Sequence, residues 1–264
     1  MLVFPQMTTG AVALYPLQRR RSRRTVVNAL RDGSSVVYAD PDWAQKRWDL
    51  ACVGLSHVEW TAVESLFDAV TGRLGVFTFL EPAGNLLAQS EDFGSPVWDN
   101  GALVGVTFGI DDPFGGTGAA RITNAGPTTG DVAQTLAVPG DFQYSVSVWA
   151  RATVAASITL FANTTGGSAE RSFELSAEWR RVVMPVGLDQ ATEYVVFGAR
   201  LGAGVTTDLF GMQVDAHAGA GNYQKTGTNG GVHSQARFGT DVLTVRARGT
   251  DVFDAAIRIV SKGN

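Results

Sequence analysis

Between residues 132 and 214 the chain breaks into seven short segments with turn residues between them, and this spacing constrains the fold more than any other feature. The segments are 132–137, 144–151, 157–162, 171–175, 180–186, 194–201 and 208–214. Separators such as Pro139-Gly140-Asp141 and Thr165-Gly166-Gly167 supply the backbone conformations that reverse a chain. No helical pattern interrupts the run. Seven or eight strands at this regularity predict a two-sheet β-sandwich or jelly roll.

Composition agrees with a mainly β protein. Gly contributes 31 of 264 residues, and charged side chains only 17%. A net charge of −4 and a pI near 5.4 argue against nucleic-acid binding. A single cysteine, Cys52, excludes an internal disulfide and any metal site that needs two thiolates. His57, His217 and His233 are too scattered to suggest a zinc site. No apolar run reaches the roughly 18 residues of a membrane span, so no membrane insertion is expected. The opening residues MLVFPQMTTG place no basic segment before an apolar one, so no secretory signal is read there and a soluble protein made in a cytoplasm is expected.

Charge is unevenly spread. Residues 1–84 carry nine basic and eight acidic side chains, 85–224 six and fourteen, and 225–264 six and three. The junctions, Glu81-Pro82-Ala83-Gly84-Asn85 and Thr226-Gly227-Thr228-Asn229-Gly230-Gly231, have loop chemistry. The pattern predicts a discontinuous outer domain, 1–84 plus 225–264, carrying an inserted domain, 85–224. Three successive domains are the alternative, but a 40-residue tail is too short for its own core.

The outer domain reads as strands and one α-helix. Val36–Tyr38 and Arg47–Val53 are expected as two strands joined by an Asp40-Pro41-Asp42 turn. Ser56-His57-Val58-Glu59 has the form of a capping box. Val58, Ala62, Val63, Leu66, Phe67 and Val70 follow at helical spacing, and Gly72 closes the helix. Residues 75–80 form the next strand. Leu243, Val245 and Ala247, then Ile257 and Ile259, alternate with polar residues and predict two half-buried strands.

The chain offers no recognisable catalytic signature: no Gly-x-Ser-x-Gly, no phosphate-cradling loop before a helix, no His-Glu-x-x-His. Phe114-Gly115-Gly116-Thr117-Gly118 follows an Asp-Pro turn and reads as a loop, not a nucleotide cradle. The acidic pairs Glu91-Asp92 and Asp111-Asp112 read as solvated charge. A calcium ion held by loop oxygens is the lesser alternative, with Asp92 and Asp215 as candidate ligands. Aromatic residues are the other lead, because the apolar face of a pyranose matches an aromatic ring. Tyr144, Trp149, Trp98 and Trp179 are the candidates for stacking on sugar, with Tyr194 and Tyr223 also available. Each competes with a core role. Tyr144 and Trp149 have opposite parity on one strand, so one points inward and the other outward. Arg19, Arg20, Arg21, Arg23 and Arg24 make the strongest charge run. It fits a solvated face or an intersubunit ion-pair belt, with Trp60 on the helix as a second interface candidate.

Two resemblances follow from these segments. Residues 85–93 (NLLAQSEDF) with Trp98, 144–151 (YSVSVWAR), 178–182 (EWRRV), 209–215 (LFGMQVD) and 222–226 (NYQKT) resemble, in order, the carbohydrate-binding-module-like jelly rolls of bacteriophage structural proteins and secreted glycan-active proteins. The chain departs from them at Val214-Asp215, where they often carry Leu-Glu. The strand pair around Tyr38 and Trp48, the helix 57–71, strand 75–80 and closing strands 241–260 resemble the N-terminal domain of distal tail proteins of long-tailed phages. That resemblance implies a non-enzymatic virion protein: a ring, usually of six copies, joining the tail tube to the tip or hub proteins of the baseplate. The insert would project toward host surface polysaccharide, and several weak contacts per ring would add to strong adhesion. The alternatives are a stand-alone glycan-binding module, an accessory subunit of a glycan-degrading enzyme, and a ring whose insert is purely architectural.

Overall fold

Following the chain, the first long strands pair with each other rather than forming separate hairpins. The computed structural model describes residues 1–189 and 191–262, and the side chains of all of these except 41–43. Strand β1 (Leu17–Ala29) runs antiparallel to β2 (Ser35–Leu55). The expected turn at Asp40-Pro41-Asp42 is absent: β2 passes through it as one strand of 21 residues. Its pairing with β1 jumps there, from Ser22↔Gln45 to Arg24↔Asp40. The extra residues form a bulge, which is where a strand tolerates a proline that cannot donate to the ladder.

Helix α1 (His57–Ala69) begins on the expected capping box. The Ser56 side chain accepts from the Glu59 backbone N–H, and the Glu59 carboxylate accepts from Ser56 N–H at 2.8 Å. Glu59 also accepts from Thr8, through both N–H and Oγ1 at 2.8 Å, so one side chain ties the N-terminal segment to the helix start. The buried stripe differs from the expected one. Trp60, Val63 and Leu66 face inward, with Val70 just beyond, while Val58 is 73% exposed and Ala62 is exposed. Trp60 fills the face that packs on the sheet, so its indole is a core group and not the oligomer contact expected of it.

Strand β3 (Phe77–Leu80) leads into a run of ten strands: β4 (Asp99–Asn100), β5 (Val104–Ile110), β6 (Ala119–Asn124), β7 (Gly130–Leu136), β8 (Gln143–Arg151), β9 (Ala156–Asn163), β10 (Ser168–Leu175), β11 (Arg180–Gly187), β12 (Val195–Leu201) and β13 (Thr206–Asp215). β14 (Val232–Phe238), β15 (Val245–Gly249) and β16 (Val252–Lys262) close the chain.

The fold divides into two compact units. One comprises Met1–Thr8, Ala13–Phe79 and His233–Asn264; the other Thr9–Val12 and Leu80–Val232. The first is a sheet in the order β1-β2-β16-β14-β3, with β15 on β16. Trp48, Leu50 and Cys52 alternate inward from β2, and Ala255, Ile257 and Ile259 from β16. Trp48 packs on Phe79 and His233 at ring distances of 5.0 and 4.7 Å. Each fully buried large side chain of this kind stabilises the unit by roughly 1.5–3 kcal/mol. β15 departs from expectation: all five of its residues are exposed, so the alternation at Val245 and Ala247 does not mark a buried face.

The second unit is an antiparallel β-sandwich, as the strand spacing predicts. Its sheets run β10-β9-β12-β7-β4 and β11-β8-β13-β6-β5. Tyr144, Val146, Val148 and Ala150 of β8 are buried, as are Phe197 and Leu160 of the other sheet, and the Tyr144 and Phe197 rings lie 5.2 Å apart. Buried Asn85 pins the entry segment to β13, accepting from Val214 N–H and donating to Met212 C=O. Strands β4 and β5 are not evident in the sequence, because β4 has two residues and glycines interrupt β5.

Candidate functional site

The outward side of the sheet β11-β8-β13-β6-β5 carries a cluster of charged and aromatic side chains. Alternation along β8 sends Ser145, Ser147, Trp149 and Arg151 to this side. On β13 simple alternation would split the set, since Phe210 and Gln213 differ in parity. A bulge restores it: Phe210 pairs with Trp149, and Gln213 with Ser147. Gly211, in the bulge, has φ +63°, and a Cβ there would meet the Tyr223 ring at 2.8 Å. Both the backbone and the Tyr223 contact therefore require glycine.

Four rows cross the face. In the first, Asp208 lies between two arginines, accepting from Arg121 Nε at 2.8 Å and Arg151 Nε at 3.1 Å. The Arg151 guanidinium also sits 4.7 Å from the Trp179 ring centre. In the second, Arg181, Trp149 and Phe210 are direct cross-strand neighbours. Phe114 stands against this row from the 111–118 loop. Its ring lies 5.6 Å from Trp149 at an interplanar angle of 77°, and 5.8 Å from Phe210 at 68°. In the third, Arg181 donates to Ser147 Oγ at 2.9 Å and to Gly221 C=O at 2.7 Å. In the fourth, Asp215 stands opposite Ser145, accepts from Gln213 Nε2 at 2.9 Å and lies 3.8 Å from His217 Nε2.

Burial governs the electrostatics of the last two rows. It raises the Asp215 carboxyl above the ordinary aspartate range, against the pull of Gln213, His217, Gly221 and Arg181. It lowers the Arg181 guanidinium, which Asp215 partly offsets. Tyr223 is pushed up by burial and by Glu91, to which its hydroxyl donates at 3.0 Å, while Ser90 opposes the rise. Lys225 pairs with the same Glu91.

Several donors on this side are left unspent. Among the described residues, the indole N–H groups of Trp149 and Trp179, Arg181 Nε and Ser145 Oγ are buried without a hydrogen-bond partner. Buried polar groups are ordinarily paired, so four on one sheet and its flanking loop call for a ligand or ordered water. Half-buried Trp149 and Trp179 and exposed Phe114 thus stand beside planar guanidiniums and unpaired donors, a mixture of apolar and polar groups.

The sequence candidates divide clearly. Trp149 and Trp179 lie here, half-buried. Tyr144 does not: its ring is fully buried, its hydroxyl donates to Pro139 C=O, and burial with Asp141 nearby raises its pKa. Trp98 is also core, packed 5.1 Å from Phe93 with its N–H donated to Gln89 C=O. These two cannot stack on a sugar. Asp215 belongs to the face, whereas Asp92 is an exposed loop residue. Among the described residues no three His, Cys, Asp or Glu side chains are gathered to hold a metal ion, so the proposed calcium ligands form no such group. Arg19, Arg20, Arg21, Arg23 and Arg24 all lie exposed along β1 in the other unit. Phe114, Phe210, Arg151, Arg181 and Asp208 were missed. For Phe114 a signal existed: a large aromatic in a glycine-rich loop has little reason to be apolar unless something contacts it.

No family model and no curated protein matches the chain. Solved structures with a similar fold include a xylan-binding domain from Paenibacillus barcinonensis, 13% identical over 53% of this chain and 99% of its own, with a TM-score of 0.42. Another is TmCBM61 in complex with β-1,4-galactotriose, 16% identical over 49% of this chain and 97% of its own, with a TM-score of 0.39. A third is the enzymatically active domain of tailspike protein 4 of bacteriophage CBA120, 8% identical over 52% of this chain, with a TM-score of 0.41. The match takes in 22% of that tailspike domain's length.

Proposed function

We propose that the sandwich unit is a non-catalytic carbohydrate-recognition module, and that glycan binds the outward side of β11-β8-β13-β6-β5. The observation that carries this reading is Trp149. It is half-buried on the outward side, its N–H is unspent, and Arg181, Phe210 and Phe114 are its neighbours. A pyranose needs that combination: an aromatic surface for its C–H face and fixed donors for its hydroxyls. The test is a glycan array probed with the full chain and with Trp149→Ala. Retention that the substitution abolishes supports the reading; retention that survives it places the site elsewhere.

A second reading concerns assembly, with the chain as a subunit of a virion tail ring that carries the module toward host polysaccharide. It is favoured by the far end of the β1–β2 ribbon. There Val26 pairs with Tyr38 and Val27 with Val37, which puts apolar side chains on both faces. Val27, Val37 and Tyr38 are 60%, 59% and 50% exposed. A two-stranded ribbon in water is at best marginally stable, and apolar residues on both faces are the mark of strands covered on both sides. The Arg19–Arg24 stem suits an acidic neighbour, and residues 85–224 of another copy carry the surplus of acid. Light scattering behind size exclusion decides it: a closed oligomer near six copies supports the ring, and a monomer at every concentration counts against it.

A further inference from the structure

The loop between β5 and β6 is organised around a single carboxylate. Asp112 Oδ1 accepts from the N–H groups of Phe114 at 2.8 Å and Gly116 at 3.0 Å, and Oδ2 from Gly118 at 3.1 Å. Asp112 N–H in turn donates to Gly116 C=O at 2.9 Å. The glycines are the ones this wrapping demands. Gly115 has φ +88°, and a Cβ on Gly116 would lie 2.6 Å from Asp112 Oδ2. A Cβ on Gly118 would press on both Phe210 and Asp112. The segment Asp112-Pro113-Phe114-Gly115-Gly116-Thr117-Gly118 thus encodes one closed conformation.

What that conformation holds out is Phe114, 66% exposed and yet fixed edge-on to both Trp149 and Phe210. Its place beside a half-buried Trp149 whose N–H has no partner gives it a purpose on the binding side.

We infer that Asp112 is the positioning residue of the glycan site, locking Phe114 as a preformed wall against Trp149 so that a ligand meets a corner of two rings. The inference rests on the glycan reading of this face. Two rings at 77° offer one sugar both a surface to stack on and an edge to abut. A loop already closed spares the ligand the entropy of ordering it. Asp112 would act without touching ligand, and Phe114 would touch it.

The experiment compares the full chain with Asp112→Ala, Phe114→Ala and the double variant. Hydrogen exchange of the Phe114, Gly116 and Gly118 amides needs no ligand. Titration with the oligosaccharide best retained on a glycan array measures binding. Asp112→Ala is expected to speed exchange at those three amides and to weaken binding about three- to tenfold, as Phe114→Ala does, with little change in melting temperature. The double variant should be no worse than Phe114→Ala alone, because both substitutions remove the same wall. Unchanged exchange in Asp112→Ala overturns the inference, as do losses that add in the double variant. A wild-type chain that retains no glycan refutes the glycan reading, while the exchange result still decides whether Asp112 holds the loop.

Discussion

Tyr144 and Trp149 share strand β8 and point to opposite sides of it, Tyr144 into the sandwich against Phe197 and Trp149 outward against Phe114. The two aromatics therefore have separable consequences. Tyr144→Ala should cost about 3–5 kcal/mol, and Tyr144→Phe about 1 kcal/mol through the lost bond to Pro139 C=O. Trp149→Ala should leave the melting temperature nearly unchanged and abolish glycan retention. Thermal melts run beside a retention assay check both. A large stability loss at Trp149 would make it a structural residue.

Asp208 should be the most sensitive charged position on the face. Its side chain is 4% exposed and serves Arg121 and Arg151 together. Removing it leaves two guanidiniums facing each other. After allowance for the partial exposure of the arginines, Asp208→Ala should cost about 2 kcal/mol, and Asp208→Asn less. Urea unfolding of the two variants checks the order.

Gly211→Ala should damage both stability and the site. The new Cβ needs a backbone at φ +63° and runs into the Tyr223 ring. A loss of about 2 kcal/mol is expected, and glycan retention should fall with it as Gln213 and Asp215 are displaced from the Trp149 side. Retention that stays intact at wild-type level would show that the bulge does not organise binding.

The pH dependence of stability should carry two opposite contributions. Burial raises Asp215, so its carboxyl takes up a proton more readily folded than unfolded. Its contribution to stability therefore falls as pH rises through the folded value and is regained on mild acidification. Asp112 runs the other way. Burial would raise it, but the N–H groups of Gly118, Phe114, Gly116 and Gly115 hold it below the ordinary 3.8. Its contribution is complete above that value and is lost as pH falls through the folded one. Asp215→Asn should flatten the melting-temperature profile on the mildly acidic side, and Asp112→Asn should not.

In the other unit, Glu59→Ala removes the reciprocal half of the capping box and both bonds from Thr8. About 1 kcal/mol should be lost. Limited proteolysis should then cut the segment after Thr8 faster than in the wild type.

The strand pattern of the sandwich, the helix start at Ser56 and the opposed directions of Tyr144 and Trp149 were all legible in the sequence. Each depends on near neighbours. Turn residues, a capping pair three apart and the two-residue period of a strand act over a few bonds whatever surrounds them. The helix was legible in place and in part of its facing: Val63, Leu66 and Val70 are buried at the expected spacing, while in the first turn the sheet beneath takes Trp60 and leaves Val58 exposed.

What the sequence by itself determined is thus a β-sandwich and a capped helix, with candidate aromatics whose sides were open. The tertiary structure alone decided the site. Arg151 and Arg121 come to Asp208, and Phe114 to Trp149, across strands 57, 87 and 35 residues apart in the chain. The bulge at Gly211 then sets which β13 side chains join them. Such meetings depend on strand order and register, which are settled by the burial of the whole interior, and no local pattern of residues records them.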